Sequence, residues 1–325
     1  MIESLLAKKK PFVVSQVEGI QSITGAKTEG IFIGLPVTPH MFMESKPLEW
    51  VYDRIVECTR IAESEGAKII GLGAFTSVVG DGGVTVANRA NIAVTTGNSY
   101  TVATAIEGAL KAAQEVGIDP TRATLAVVGA TGSIGKTCAR VLAPEFQQTI
   151  VVGRDLDRTQ VLADELERAV ATVDMDAIHD ADVVITVTSA DAPVILPSHL
   201  KAGSVVCDVA RPRDVSVRVA KERPDVLVIE GGVVRVPGDV NFNFDFGFPA
   251  KTAYACMSET IMLALEDRPE SFTLGKDVTV DQVQETQRLA KKHGFELAGF
   301  RSFEREVDAE TIARVRAARK DLVPI

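Results

Sequence analysis

The chain has 325 residues, 46% hydrophobic and 24% charged, with a net charge of −9. That length suits about two domains, no apolar run reaches the roughly 18 residues of a membrane span, and the acidic balance argues against nucleic acid as a general partner. Cys58, Cys138, Cys207 and Cys256 are widely scattered, as are His40, His179, His199 and His293, so neither a disulfide framework nor a metal site is expected. The N-terminal MIESLLAKKKPF sets its basic residues after a short apolar stretch, the reverse of a secretory signal, and the expected setting is the cytoplasm.

In chain order, Gly30 to Leu35 reads as a strand, Leu48 to Glu65 as a helix with its apolar stripe on Val51, Ile55, Cys58 and Ile61, and Lys68 to Leu72 as a buried strand. The following segment, GLGAFTS to TTGNSYT, is rich in glycine and short polar side chains. Thr76, Ser77, Thr95, Thr96, Asn98 and Ser99 are donors of the kind that line a site for a carbonyl or a phosphopantetheine-type amide. Any one of them read alone equally well closes a turn. Tyr100 to Val116 predicts a long helix stopped by Gly117 and Pro120.

The next stretch is strand, glycine turn, helix. Leu125 to Val128 is an apolar run that breaks into Gly129, Gly132 and Gly135 before the helix Ile134 to Leu142. Gly129 permits the turn, Gly132 lets backbone N–H groups approach a pyrophosphate, and Gly135 lets the helix pack closely on the strand. Thr131, Ser133 and Ile134 complete a first turn whose free amides and positive dipole end face phosphate. A second strand, Thr149 to Val152, ends in Gly153 and Arg154 with Arg158 one turn on. A guanidinium where an NAD site presents a carboxylate points to a 2′-phosphate and so to NADPH, although Asp155 lies next door.

Helix Leu156 to Val170, a short strand at Ala171 to Val173, and strands Val183 to Thr188, Ser204 to Val209 and Val226 to Ile229 continue the alternation of a doubly wound parallel sheet. Thr188 and Gly232 fall at the carboxyl edge of that sheet, where such folds bind ligands. Asp208 and Arg211 lie just past one strand. After the phenylalanine-rich DVNFNFDFGFPAK, Pro249 opens a predicted helix Ala250 to Glu266, which sets Cys256 two turns in, where the dipole has faded. Helices are also predicted at Val280 to Lys292 and Ala309 to Leu322; the latter carries Arg314, Arg316, Arg319 and Lys320, a basic face for an acidic carrier protein or simply for solvent.

Several segments together resemble the long-chain acyl-[acyl-carrier-protein] reductases of cyanobacteria: GLGAFTS at Gly71 to Ser77, TTGNSYT at Thr95 to Thr101, AVVGATGSIG, the arginine after the second strand, GGVV at Gly231 to Val234, AYACMSETIMLALE, and KHGFELAGF at Lys292 to Phe300. CDVARPRDV at Cys207 to Val215 looks like a glutamyl-tRNA reductase motif, and shikimate dehydrogenases are related by architecture. The glycine-rich stretch VVGDGGVTVANRANIAV and the first 60 residues depart from the reductase pattern. The resemblance implies a cysteine nucleophile at the position of Cys256, NADPH as hydride donor, and acyl carrier protein or acyl-CoA as acyl donor. Thioester reduction needs a reactive thiol beside a nicotinamide, with Asn98 and Ser99 as candidate donors to the thioester oxygen.

The expected fold is α/β: a Rossmann-type doubly wound sheet at residues 105–240, and a substrate domain built from residues 1–104 and the returning C-terminal helices, 241–325. The cleft between the two is the expected site, and self-association is open to the chain. Two other readings stand beside it. One is a shikimate-dehydrogenase-like oxidoreductase acting on a small hydroxy acid, with Cys256 a bystander. The other is a non-catalytic NADP(H)-sensing protein.

Overall fold

The computed structural model describes residues 2–320 apart from Arg211 and Phe246. Arg211 and the last residues expected in the C-terminal helix, Asp321 and Leu322, thus lie outside the described residues. In chain order the main elements are β1 (Phe12–Gln21), β2 (Lys27–Gly34), α1 (Leu48–Ser64), β3 (Ile69–Gly71), β4 (Ala93–Thr95), α2 (Asn98–Val116), β5 (Thr124–Val128), α3 (Ser133–Leu142), β6 (Gln148–Val152), α4 (Leu156–Glu165), β7 (Ala169–Thr172), β8 (Val183–Thr186), β9 (Val205–Asp208), β10 (Leu227–Glu230), β11 (Gly238–Asn241), α5 (Ala255–Leu265), α6 (Val280–His293) and α7 (Ala309–Lys320).

The chain divides into two compact units. One comprises the described residues up to Tyr100 together with Val234–Glu296; the other comprises Thr101–Val233 and the described residues from Leu297 on. The boundary at Tyr100 falls inside α2, so that helix begins in one unit and ends in the other. The C-terminal stretch differs from the expected domain plan. Instead of the whole of 241–325 returning to the N-terminal part, α7 packs with the second unit. There Arg319 and Lys201 each reach Asp182 at 2.9 Å, and Arg316 donates to the Glu115 carbonyl at 2.8 Å.

The second unit carries a six-stranded parallel sheet in the order β10-β9-β8-β5-β6-β7. Counted from β5, this is the 3-2-1-4-5-6 order of the Rossmann fold, whose crevice opens where the order reverses, between β5 and β8. The strands read as continuous apolar runs because helices cover both faces of such a sheet; Leu125, Val127, Val183, Ile185 and Val206 are 0% exposed. Helix α4 ends at Glu165 rather than running to Val170, and the chain turns through Arg168 at φ +57° into β7.

The first unit holds a three-stranded antiparallel sheet, β11-β1-β2, and a short parallel pair, β3 and β4. Strand β1, which sequence patterning did not bring out, alternates irregularly because its register with β2 shifts twice. The phenylalanine-rich segment folds back onto this sheet, with Phe32 6.0 Å from Phe242 and 6.2 Å from Phe244 between ring centroids. Helix α1 packs Val51, Ile55 and Val56 into a core with Leu72 and Val94. At the end of α6, His293 is 1% exposed and bonds Ser22 at 2.9 Å and Glu266 at 2.5 Å, tying the helix to the turn after β1.

Candidate functional site

In the second unit the glycine turn after β5 is built for a dinucleotide. Gly129 has φ +79°, and a Cβ there would lie 2.5 Å from the Val187 carbonyl; one on Gly135 would lie 2.4 Å from the Gly129 carbonyl. Both must be glycine for the turn to close and for α3 to approach β5. Gly132 is exposed, and the nearest atom to a Cβ there, the Gly129 carbonyl, lies 3.3 Å away. Beyond it, the amides of Ser133 and Ile134 are the first of α3 and have no carbonyl one turn back to bond. Thr131 flanks the turn, half-buried, and the Ser133 hydroxyl is buried without a hydrogen-bond partner. An exposed glycine, free amides and an orphaned hydroxyl at a helix N-terminus fit a pyrophosphate.

At the end of β6, Asp155 is the N-cap of α4, accepting from the Arg158 N–H at 3.1 Å. Its carboxylate therefore serves the helix. Arg154 and Arg158 are both exposed, and neither side chain makes a hydrogen bond or ion pair among the described residues. Two free guanidiniums beside a capped aspartate fit a 2′-phosphate. Thr188, expected at the ligand-binding carboxyl edge of the sheet, has its donors engaged within the protein. Its hydroxyl and its N–H both donate to the buried Asp214, at 2.5 and 2.7 Å, and Thr186 adds a third bond at 2.6 Å. Asp214 thereby shapes the segment after β8. Gly232 is buried at φ +88° just after β10.

In the first unit, two segments meet at Cys256. The helix that carries it starts later than Pro249 predicts: Lys251 adopts φ +63°, Thr252 bonds back to the Pro249 carbonyl, and Thr252–Tyr254 is extended, so α5 begins at Ala255. Cys256 thus lies in the first turn, where the dipole and unpaired amides favour a thiolate, and not two turns in. Gly97, at φ +73°, packs directly on it. A Cβ there would come within 2.3 Å of the Cys256 Cα and carbonyl oxygen. The start of α2 is thereby held against the start of α5.

Burial nevertheless pushes the Cys256 thiol up to about 11, with the Glu259 charge adding to the rise and the Met257 N–H opposing it. Cys58 and Cys138 are buried and pushed up to about 12. Cys207 is buried within β9.

Of the six short polar side chains singled out above, five are engaged within the protein. Thr76 bonds the Gly73 carbonyl, Ser77 the Ala74 carbonyl, Thr96 the Thr273 carbonyl, and Thr95 and Ser99 the carboxylate of Glu259. Ser99 is 0% exposed and its hydroxyl is spent on Glu259, which removes it as a direct donor to substrate. Asn98, half-buried at the first position of α2, makes no side-chain hydrogen bond among the described residues. Sequence reasoning missed Glu259 and Asp214. The signal for Glu259 was present, an acid three residues after the cysteine in the otherwise apolar ACMSETIMLAL.

Among the described residues no group of three or more His, Cys, Asp or Glu side chains could hold a metal, and no helix is long and apolar enough to cross a membrane.

A family model described as shikimate / quinate 5-dehydrogenase matches residues 111–230. The chain is 31% identical over 306 residues to the aminotransferase PigE of a Serratia species, covering 91% of this chain but 36% of PigE, so it spans about a third of that relative. It is 27% identical over 302 residues to the long-chain acyl-[acyl-carrier-protein] reductase of Synechococcus elongatus, covering 88% of this chain and 87% of that one. Among solved structures, glutamyl-tRNA reductase from Methanopyrus kandleri is similar at 21% identity and TM-score 0.34, covering 68% of this chain and 44% of that one. Fold, glycine turn and the dehydrogenase match over residues 111–230 make the second unit a Rossmann-type nicotinamide-dinucleotide-binding unit.

Proposed function

We propose that the protein is an NADPH-dependent reductase that converts a fatty acyl thioester, carried on acyl carrier protein or coenzyme A, to the aldehyde through an acyl-Cys256 intermediate. The observation that carries the reading is Cys256 in the first turn of α5, with Gly97 packed on its backbone and the uncommitted Asn98 next in sequence. The 27% identity to an acyl-[acyl-carrier-protein] reductase, over 88% of this chain and 87% of that one, supports it.

The Ser133 and Ile134 amides hold the pyrophosphate in the turn that Gly129, Gly132 and Gly135 shape, and Arg154 with Arg158 hold the 2′-phosphate. Bound there, the cofactor supplies hydride to the acyl carbon. Cys256 gives up its proton and attacks the thioester carbonyl; the new C–S bond forms, the carrier's C–S bond breaks, and the carrier leaves as its thiol with that proton. The Asn98 amide donates to the carbonyl oxygen as charge gathers there, an effect worth about 3 kcal/mol for one donor. After reduction, with a proton taken up on oxygen, the hemithioacetal on Cys256 collapses. The C–S bond breaks, the aldehyde departs and the thiol is restored.

The test is intact-protein mass spectrometry after mixing with a long-chain acyl-CoA in the absence of NADPH. An acyl-mass adduct, lost in Cys256→Ser and discharged to aldehyde on adding NADPH, is the expected result. No adduct with either acyl-CoA or an acyl-carrier thioester overturns the covalent route. The match to shikimate / quinate 5-dehydrogenase over residues 111–230 favours a second reading, direct hydride transfer on a small hydroxy acid. Turnover of such an acid would survive Cys256→Ser. NADP(H) binding without turnover on either substrate class is the outcome of a sensing role.

A further inference from the structure

Glu259 is a fully buried carboxylate, 0% exposed, one turn beyond Cys256 on α5. One oxygen accepts from the Thr95 hydroxyl at 2.5 Å; the other accepts from the Ser99 hydroxyl at 2.5 Å and the Tyr100 N–H at 3.0 Å. Both hydroxyls are held in turn by Thr273, whose N–H donates to Thr95 at 3.1 Å and whose hydroxyl donates to Ser99 at 2.9 Å. The carboxylate thus caps α2 from outside, satisfying an amide of its first turn, and joins β4, α2 and α5 at one point.

We propose that Glu259 is the positioning residue for Cys256, fixing the first turn of α5 against the start of α2 so that the thiol and Asn98 keep one geometry. The proposal rests on the reading of Cys256 as acyl acceptor. Two helices can be joined by apolar packing without the desolvation cost of a buried carboxylate. Placing one here, with every donor committed, gives direction and register that apolar contact lacks. Residues three apart share a helix face, so Cys256 and Glu259 sit together on the side turned to α2. Glu259 is also the charged side chain that bears on the thiol, and its sign opposes ionisation. The same group therefore orders the thiol and adds to the rise that burial gives it.

The two effects have opposite signatures, which makes the proposal testable. Glu259→Gln removes the charge and nearly preserves the shape: its amide oxygen can keep accepting from Ser99 and the Tyr100 N–H, and its NH2 then faces Thr95, whose hydroxyl can rotate to accept. Alkylation of Cys256 by iodoacetamide at pH 8, followed by intact mass, should then be roughly tenfold faster than in the unsubstituted protein. Acyl-thioester turnover should fall about tenfold or more, with NADPH affinity unchanged. Ser99→Ala keeps the charge and removes one anchor, so it should alkylate at the unsubstituted rate while turnover drops. An unchanged alkylation rate in Glu259→Gln, or full turnover in both variants, overturns the proposal. Rapid alkylation in Ser99→Ala also overturns it, because loosening rather than charge would then govern the thiol. If Glu259→Gln does not fold, Glu259→Asp decides: slowed turnover with unchanged alkylation supports the role, and unsubstituted turnover ends it. Absence of an acyl adduct on the unsubstituted protein would instead defeat the reading of Cys256, while alkylation still reports on Glu259.

Discussion

Gly97→Ala is the substitution for which the structure gives the most definite expectation. Ordinary van der Waals contact begins at 3.4 Å, and the new Cβ would lie 2.3 Å from the Cys256 Cα and carbonyl oxygen, so the two backbones must separate by about 1.1 Å. Neither contacted atom is the end of a flexible side chain that could swing aside. Alanine must also hold φ +73°, which costs about 1–2 kcal/mol for an L-residue. Overpacking of a tight contact adds about 1–3 kcal/mol, for a total loss of stability of about 2–5 kcal/mol. A displacement of about 1 Å at a reacting group costs on the order of 100-fold in rate. The assay is NADPH oxidation with a long-chain acyl-CoA, with kcat and the KM for NADPH determined separately, alongside a thermal melt. The expected result is a kcat lowered about 100-fold, an unchanged KM for NADPH, since the cofactor turn lies in the other unit, and a lowered melting temperature. A variant with the original kcat and melting temperature would show that the approach of Gly97 to Cys256 has no part in the chemistry.

Replacing Arg154 and Arg158 together by Ala should weaken NADPH binding about 10- to 100-fold, the loss of one or two charge-assisted bonds, and leave NADH binding unchanged; calorimetric titration of both cofactors checks this, and equal losses for the two would remove the 2′-phosphate assignment. Because burial pushes Cys256 up to about 11, its alkylation in the free protein should rise about tenfold per pH unit from 7 to 9 without a plateau; a plateau near pH 7 would mean a thiolate already formed at rest. Asp182 is 6% exposed, and although burial alone would raise it, the Thr124 N–H, Lys201 and Arg319 together hold it below the ordinary aspartate range. Its contribution to stability is present above an unfolded value of about 4 and is lost as pH falls through the lower folded value. Asp182→Asn should therefore destabilise the protein by about 1–3 kcal/mol at pH 7, a difference that narrows in melts at pH 3; an equal difference at both would refute the charge argument.

The nucleotide-binding unit was legible in the sequence because its determinants are local. Parallel strands buried on both faces read as unbroken apolar runs, and a strand, three glycines and a helix follow one another within a few residues, so the turn and its free amides are written in order from Leu125 to Leu142. Arg154 was legible for the same reason, as the residue just past β6. The meaning of its neighbour Asp155 was not, since an acid between a strand and a predicted helix serves a ribose or the helix N-cap until its carboxylate is seen to accept from the Arg158 N–H.

Around Cys256 the balance reverses. Cys256, the proposed nucleophile, was singled out through its segment, AYACMSETIMLALE, but its electrostatic setting turned on where the helix starts, and a left-handed Lys251 moved that start five residues past the predicted Ala250. The polar residues of the TTGNS segment were visible as donors, yet which of them stay free for a substrate was not. Thr95, Ser99 and Tyr100 are claimed by Glu259, which lies 164, 160 and 159 residues away in the chain. Sequence by itself determined which chemical groups the protein carries and the local turn that cradles a dinucleotide. Only the tertiary structure decided which of those groups are spent on one another and which remain to act, because hydrogen-bond capacity is consumed by whatever neighbour folding brings within about 3 Å.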